Sequence, residues 1–351
     1  MSAATKAAEA RPAPGRGPRL AGLAAAPPLA LAAVAAALLI FPAFMPDYSL
    51  ALVQKILIFA ILAISLDLIY GYAGLPSLGQ AAYLGVGGYA VAILMVKAGV
   101  TTAFLVVPLG ILAGAIAAAI FGPLVLRTSG LNFLLVTFAV GQLLYTVAIK
   151  WSFLHSFGVE GIVGVGFPSL GFEWGMSSMY YAVVVAFAAA FFFALWVTRS
   201  PLGFAAIGVR ESEQRMRVFG YNTFWVKYKL LIVSGAIAAL AGQLLAYTSG
   251  SVLPTNFDIT YSGLVFLMVV LAGAGTIYGP VIGAAVIILL EYYVSNEVSD
   301  RWPLVLGAVF VATAVFSRDG LVGMFRRGFA ALAARLGRGG SATPSGGEVA
   351  R

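Results

Sequence analysis

Residues 51–80 read ALVQKILIFAILAISLDLIYGYAGLPSLGQ, and the change of character along this stretch decides the fold. From 51 to 70 it is an apolar run long enough to cross a bilayer as a helix, which takes about 20 residues. Then Gly71-Tyr72-Ala73-Gly74-Leu75-Pro76-Ser77-Leu78-Gly79-Gln80 brings three glycines and a proline to the entrance of the next apolar run, 76–96, where Gly85, Gly87 and Gly88 follow. Backbone freed from a helix at membrane depth is tolerated only where it is buried in protein or lines a cavity. A second run of this kind, Ala272-Gly273-Ala274-Gly275-Thr276-Ile277-Tyr278-Gly279-Pro280-Val281, separates the apolar stretch 261–273 from 281–297 and leaves the former short. In transporters, paired interruptions point to a substrate path. Small residues also let helices touch with no path between them, and spacing alone admits both readings.

Outward from these breaks the whole chain is apolar. Hydrophobic residues make up 61% of the 351 residues and charged residues 10%, against about 25% charged in a soluble domain. The mean hydropathy is +0.99. The expected fold is all-α, a polytopic helical membrane protein. Apolar runs at 29–45, 51–70, 76–96, 102–126, 131–150, 179–198, 226–248, 261–273, 281–297 and 303–317 predict about ten transmembrane helices. Residues 1–28, rich in Ala, Pro and Arg, read as a disordered basic tail. The membrane domain is expected over 29–325, and 326–351 as a basic tail that turns Gly/Ser/Pro-rich and disordered. A basic stretch before an Ala-rich apolar core also resembles a signal peptide; a retained span is preferred, because the charge pattern needs it for parity.

That pattern is asymmetric. With the N-terminus inside, the inner segments hold Lys6, Arg11, Arg16 and Arg19, then Arg127, then Arg199, Arg210, Arg215, Arg217, Lys227 and Lys229, then the tail from Arg318. The outer segments hold only Lys97, Lys150 and Arg301 among cations, with Asp47, Glu160, Glu173, Asp258, Glu297 and Asp300. The bias predicts both termini in the cytoplasm. A net charge of +8 would suggest nucleic acid in a soluble protein; here the cations gather at span ends, so topology explains them and no nucleic-acid partner is expected. There is no cysteine and one histidine, His155, which excludes disulfides, thiolate metal sites and histidine clusters.

The most charged segment of the body is RSPLGFAAIGVRESEQRMRVFGY, Arg199–Tyr221. As one helix it would put Ala205, Val209, Ser212, Met216 and Phe219 on a weakly apolar stripe and Arg210, Glu211, Gln214 and Arg217 opposite. Pro201 suits the first turn and Gly220 the stop. Such an amphipathic helix lies in the interface or presses into a partner; the alternative is a solvated loop that supplies positive-inside charge. The longest loop of the body, Trp151–Ser178, is glycine-rich and is either disordered or functional, a docking surface for an external partner being one option.

No GxxxxGK[ST], HExxH or GxSxG motif occurs, so the chain is not expected to be an enzyme, to hydrolyse ATP itself or to hold a catalytic residue or metal. Lys55, Asp67 and Glu291 are the ionisable groups at depth, where a charge costs about 3 kcal/mol. Lys55 and Asp67 each lie about a turn from a span end, and Glu291 adjoins Tyr292 and Tyr293; structural roles are the first expectation for all three. Gln80, Asn132, Gln142 and Gln243 are neutral polar groups within spans that bond across helices or meet a polar substrate.

Several stretches taken together resemble a known family. LDLIYGYAGLPSLGQAAYLGVGGYAVAIL (Leu66–Leu94) is similar to the signature region of the permease subunits of branched-chain amino acid ABC importers, and most like the larger, M-type subunit. LRTSGLNFLLVTFAVGQLL (Leu126–Leu144), RSPLGFAAIGVRESEQRMRVFGYN (Arg199–Asn222), YKLLIVSGAIAALAGQLLAY (Tyr228–Tyr247), LMVVLAGAGTIYGPVIGAAVI (Leu267–Ile287) and SRDGLVGMF (Ser317–Phe325) follow in family order. Phe204 stands where the family usually has a basic residue, Met216 where small residues are usual, and Asp67 where asparagine is common; Pro76 and Tyr83 are also uncommon choices. The family also serves urea, short amides and aromatic acids, so these departures leave the substrate open.

The resemblance implies a multi-pass subunit of the bacterial inner membrane that binds no cofactor. It would pair with a second, different permease among membrane lipids, take substrate from a periplasmic binding protein and be driven by two ATP-binding subunits that use the ATP. It implies that the segment 199–221 docks on an ATPase, with Arg210, Glu211, Glu213, Arg215 and Gly220 as the coupling residues. The substrate path is expected past Gly74, Ser77, Gly79 and Gln80 and past Gly273, Gly275 and Gly279. A stand-alone carrier or channel is the rival, disfavoured by the scarcity of buried acids; a membrane scaffold without transport is a further one, against which the glycine breaks speak.

Overall fold

The structure, a computed structural model, describes residues 47–154, 161–169 and 176–297, together with Pro42, Gly307, Ala308 and Val311. Apart from those four residues, the expected first and tenth spans, 29–45 and 303–317, lie outside the described residues, as do both tails, His155, Glu160, Glu173 and the closing SRDGLVGMF stretch.

Helix α1, Asp47–Asp67, is mostly apolar and continues through a π-helical turn, Leu68–Tyr72. Helix α1 is the centre of the bundle: Leu57 to Ile69 is buried without a gap. The helices named next as α5, α8, α9 and α10 pack around it. Helix α2, Gln80–Ala92, ends in a second π-helical turn, Ile93–Lys97, and α3 follows at Ala103–Val125. Then come α4, Leu131–Lys150, and α5, Met176–Arg199. Two short helices, α6 (Pro201–Glu211) and α7 (Glu213–Val218), precede the long α8, Thr223–Ser249, and the pair α9 (Ile259–Ala272) and α10 (Tyr278–Glu297) closes the described chain.

Six of these helices are long and apolar enough to cross a membrane, and two shorter apolar ones, Ile259–Ala272 and Tyr278–Val294, accompany them. They match eight of the expected spans. The third expected span starts later, at Gln80, because residues 74–79 carry no regular element. The short span is short, since the 14 residues of α9 rise only about 21 Å.

Small residues set the tightest packing. Gly87 of α2 faces the backbone of Ala239 on α8, Gly242 of α8 faces the Leu84 carbonyl, and Gly114 of α3 faces Ala239 and the Gly235 carbonyl; a methyl at any of the three would overlap its neighbour. For these glycines close helix contact is the explanation, as expected where hydrocarbon supplies no hydrophobic drive between helices. At the end of the bundle away from α6 and α7, β1 (Ile162–Val163) pairs antiparallel with β2 (Ser251–Val252), Ile162 opposite Val252. The N–H groups of Gly164 and Val165 both donate to the Gly250 carbonyl at 3.0 Å, and Ser169 N–H donates to Thr101. Residues 161–169 of the long loop are therefore pinned to the bundle end.

Candidate functional site at the junction of two interrupted spans

The two glycine-rich breaks meet. The carboxylate of Asp67, 1% exposed, accepts at Oδ1 from the Gly275 N–H at 2.7 Å. Gly71, one turn further along α1, lies beneath that contact, and a Cβ there would overlap both Asp67 Oδ1 and the Gly275 nitrogen. Gly275 adopts φ +90°, a left-handed conformation that glycine takes without strain. Arg210 of α6 completes the junction: its Nη1 donates to the Gly71 carbonyl. A Cβ on Gly275 would lie 2.9 Å from Arg210 Nη1, and one on Gly74 the same distance from Arg210 Cγ. Thus Gly74, Gly275 and Arg210, three expected site residues, converge, and Asp67 and Gly71, which were not among those expected, join them. Asp67 had a readable signal: a carboxylate at depth needs a named partner, and it stands four residues before a glycine.

Helix α6 reaches this place because its apolar face, Gly203, Ala205, Ala206 and Val209, is buried in the bundle. The expected single helix over 199–221 is two. Ser212 leaves the helix at φ −163° and ψ 104° and caps α7, accepting from Arg215 N–H at 3.4 Å. The stripe from Ala205 to Phe219 is therefore interrupted. Helix α7 ends in a Schellman arrangement: Tyr221 N–H donates to Met216 and Gly220 N–H to Arg217, both at 3.0 Å, with Gly220 at φ +84°.

Glu213 is engaged inward. It accepts from Lys227 Nζ at 2.6 Å, Arg217 Nη2 at 2.8 Å and Thr223 Oγ1 at 3.0 Å. Partial burial raises its carboxyl pKa, but the bonds from Lys227, Thr223 and Arg217 outweigh that and hold the group below the ordinary range. Glu213 therefore ties α7 to α8, whereas Glu211 and Arg215 are exposed. Beyond them Val218, Phe219, Tyr221 and Trp225 form an exposed apolar tip.

Ser77, Gly79 and Gln80 lie apart from this junction, and all three are buried. Ser77 Oγ accepts from Gly79 N–H at 3.1 Å, and Leu78 N–H donates to Thr137 Oγ1 of α4 at 3.1 Å. Gln80 Nε2 donates to Ser234 Oγ at 3.0 Å, Ser234 to the Ser65 carbonyl at 2.6 Å, and Ala81 N–H to Ser262 Oγ at 3.1 Å. The expected path residues of the first break thus knit α1, α2, α4, α8 and α9 together. Gly273 ends α9, and Gly279 packs on Thr276, whose Oγ1 donates to the Gly273 carbonyl at 3.1 Å.

The other polar groups divide. Gln243 is spent inside: with both ends paired, its amide accepts from Ile111 N–H at 2.9 Å and donates to the Val107 carbonyl at 3.3 Å. Lys55 pairs with Glu291 at 3.0 Å, bridging α1 to α10 beside Tyr48 and Tyr292 in a cavity of about 320 Å³. Asn132 and Thr146 are exposed and Gln142 half-buried along one side of α4. Among the described residues, neither Asn132 nor Gln142 has a side-chain partner. Both α3 and α4 are only 28% buried, against 72% for α8. The exposed side of α3 is Phe104, Leu112, Ile116, Ile120 and Leu124, a wall suited to lipid. The amides on α4 are not.

The description "branched-chain amino acid transport system / permease component" belongs to the family model that matches residues 48–314. The high-affinity branched-chain amino acid transport system permease protein LivM of Salmonella typhimurium is 27% identical over 295 residues, 77% of this chain and 69% of that protein. LivM of Escherichia coli is 26% identical over the same shares. The permease protein LivH of Salmonella typhimurium is 24% identical over 298 residues, 76% of this chain and 91% of LivH. No solved structure matches the chain. A multi-pass helical membrane protein matched from its central helix through α10, the chain belongs to the family of permease components of branched-chain amino acid transport systems.

Proposed function

We propose that the chain is a permease subunit of an ABC importer that moves branched-chain, hydrophobic amino acids, handed over by a periplasmic binding protein, across the bacterial inner membrane. The observation that carries this reading is the family match over 48–314, joined to a charged segment seated where two interrupted spans meet. ATP is bound and hydrolysed by two partner subunits; the permease itself holds no cofactor and does no covalent chemistry. Its second permease resembles it in fold, as the similarity of this chain to both LivM and LivH supports.

Both termini face the cytoplasm, because α6, α7 and the inner ends of α5 and α8 carry Arg199, Arg210, Arg215, Arg217, Lys227 and Lys229. The α6–α7 segment is the coupling element. Glu211 and Arg215 supply charge to the ATPase groove, and Val218 and Phe219 supply apolar contact. Glu213 and Gly220 shape the segment rather than touch the partner. The solute crosses at the α4 side, where Asn132 and Gln142 face the second permease, and the Gly275 junction gates its exit.

Uptake of labelled leucine into proteoliposomes holding the assembled complex tests the reading. Uptake is expected to require ATP, both ATP-binding subunits and the binding protein. Uptake at full rate with the ATP-binding subunits omitted would overturn it. The double charge reversal Glu211→Arg with Arg215→Glu is expected to abolish stimulation of ATP hydrolysis by loaded binding protein while membrane insertion survives.

A further inference from the structure

The junction holds one unsatisfied group. Asp67 Oδ1 is taken by Gly275, but Oδ2 is buried without a hydrogen-bond partner. A buried acceptor left unmade is costly, more so when charged. Beside it stands a guanidinium with five N–H donors, of which Arg210 places one on the Gly71 carbonyl. Gly71 and Asp67 are four residues apart on the same face of the end of α1, and the Asp67 carboxylate reaches along the helix to Gly71, so the occupied acceptor and the empty one are neighbours. Helix α6 carries Arg210 in its last turn, and the single residue Ser212 joins that end to α7, the part exposed for a partner.

We propose that Arg210 is a strut with two seats, the Gly71 carbonyl and the Asp67 carboxylate, and that the exchange between them transmits movement of α6 to the break at 272–278. In the second seat the planar guanidinium pairs with both carboxylate oxygens, the geometry that suits a fork and a carboxylate. That pairing satisfies Oδ2 and makes the guanidinium share Oδ1 with the Gly275 N–H. Gly275 is then held less firmly to α1, and the short linker between α9 and α10 is freer to move. In the observed seat the reverse holds: Gly275 is held and Oδ2 is unmade. The observed seat leaves Oδ2 unmade, and the second leaves the Gly71 carbonyl without Arg210 and loosens the Gly275 bond, which makes a two-state element that a push on α6 can bias. Arg210 and Asp67 are positioning residues here; neither touches the solute.

This inference rests on the importer reading, so the test separates the two. Because the chain has no cysteine, Phe204→Cys on α6 and Ala274→Cys on the linker give a clean pair for spin labels. The labelled permease is assembled with its full complex in proteoliposomes, and the 204–274 distance is measured without nucleotide and with trapped ATP. Two distance populations are expected in the unmodified junction. Asp67→Asn keeps an oxygen for the Gly275 N–H but cannot form the ionic fork. Arg210→Lys keeps the charge but not the fork. Both variants are expected to stay in the nucleotide-free population and to lose at least about tenfold in ATP-driven uptake, with the double variant no worse than either, as for partners in one interaction. Should Asp67→Asn fail to accumulate, Arg210→Lys carries the test alone. A distance change and uptake like those of the unmodified complex in either variant would overturn the strut while leaving the importer reading intact. Absence of ATP-driven uptake in the unmodified complex would overturn the importer reading instead.

Discussion

Asp67 and Gly275 are 208 residues apart in the chain and 2.7 Å apart in the fold, the carboxylate of one receiving the backbone N–H of the other. That bond joins the end of the central helix to the linker between the last two described helices. It can form only because residue 71, lying beneath, has no side chain.

Gly71→Ala is therefore expected to part the two breaks. Its methyl would overlap the Asp67 carboxylate and the Gly275 nitrogen, and overpacking of this kind costs about 1–3 kcal/mol. A lowered melting temperature in detergent and loss of ATP-driven uptake are the expected results. Gly263→Ala is the control. It sits in α9 with no heavy atom within 4 Å of the added carbon, and is expected to hold stability or raise it by about 0.5–1 kcal/mol. Equal effects of the two substitutions would show that the junction is not special.

The Glu213 cluster predicts a pH dependence. The carboxyl pKa is held below the ordinary 4.5, so its stabilisation is fully present above that value and is lost only as pH falls through the lower, folded one. Hydrogen exchange over α7 is expected to be flat from pH 7 to about 5, once corrected for intrinsic rates, and to rise below the ordinary value of 4.5. Glu213→Gln should raise α7 exchange at neutral pH and flatten the profile. A rise already complete at pH 6 would contradict the assignment.

Asn132 and Gln142 lie on the side of α4 that the protein leaves open. Replacing both with leucine is expected to leave the isolated permease folded, because neither side chain has a partner among the described residues, and to reduce assembly with the second permease or uptake by about tenfold or more. Phe104→Leu with Ile120→Leu on the lipid-suited side of α3 should change neither. Pull-down of the second permease and leucine uptake provide the measurement. Full assembly and uptake in the α4 double variant would refute its placement.

Lys55 and Glu291 form a pair with side chains 43% and 26% exposed, linking α1 to α10 near one end of the membrane. Lys55→Met alone strands a carboxylate near hydrocarbon, where an unpaired charge costs up to about 3 kcal/mol. The double variant Lys55→Met with Glu291→Leu removes both charges and is expected to recover most of that loss, as apolar replacement of a pair often does. Thermal melting in lipid nanodiscs distinguishes these outcomes: additive losses would mean that the two residues act independently.

Much of this was legible from residue order. The run 51–70 was legible as a membrane helix because an apolar stretch of that length spans a bilayer, while its central place was not, and Pro201 and Gly220 marked the limits of the charged segment by backbone chemistry alone. The interruptions at 71–80 and 272–281 were visible as glycine and proline. Ser212 was not legible as a break, since serine is neutral within a helix until its side chain finds a free N–H to cap. Nor was the role of Glu213, because Lys227 approaches it only when α7 folds back on α8.

Residue order alone was enough to make this protein a membrane bundle with two damaged spans and one charged segment between spans, since hydropathy, glycine, proline and charge act locally and need no partner. That the two damaged spans touch, and that Arg210 is the side chain bridging them, came from the packed helices and from nothing short of them. A hydrogen bond between residues 208 positions apart depends on the packing of every helix in between, and no local pattern encodes that distance.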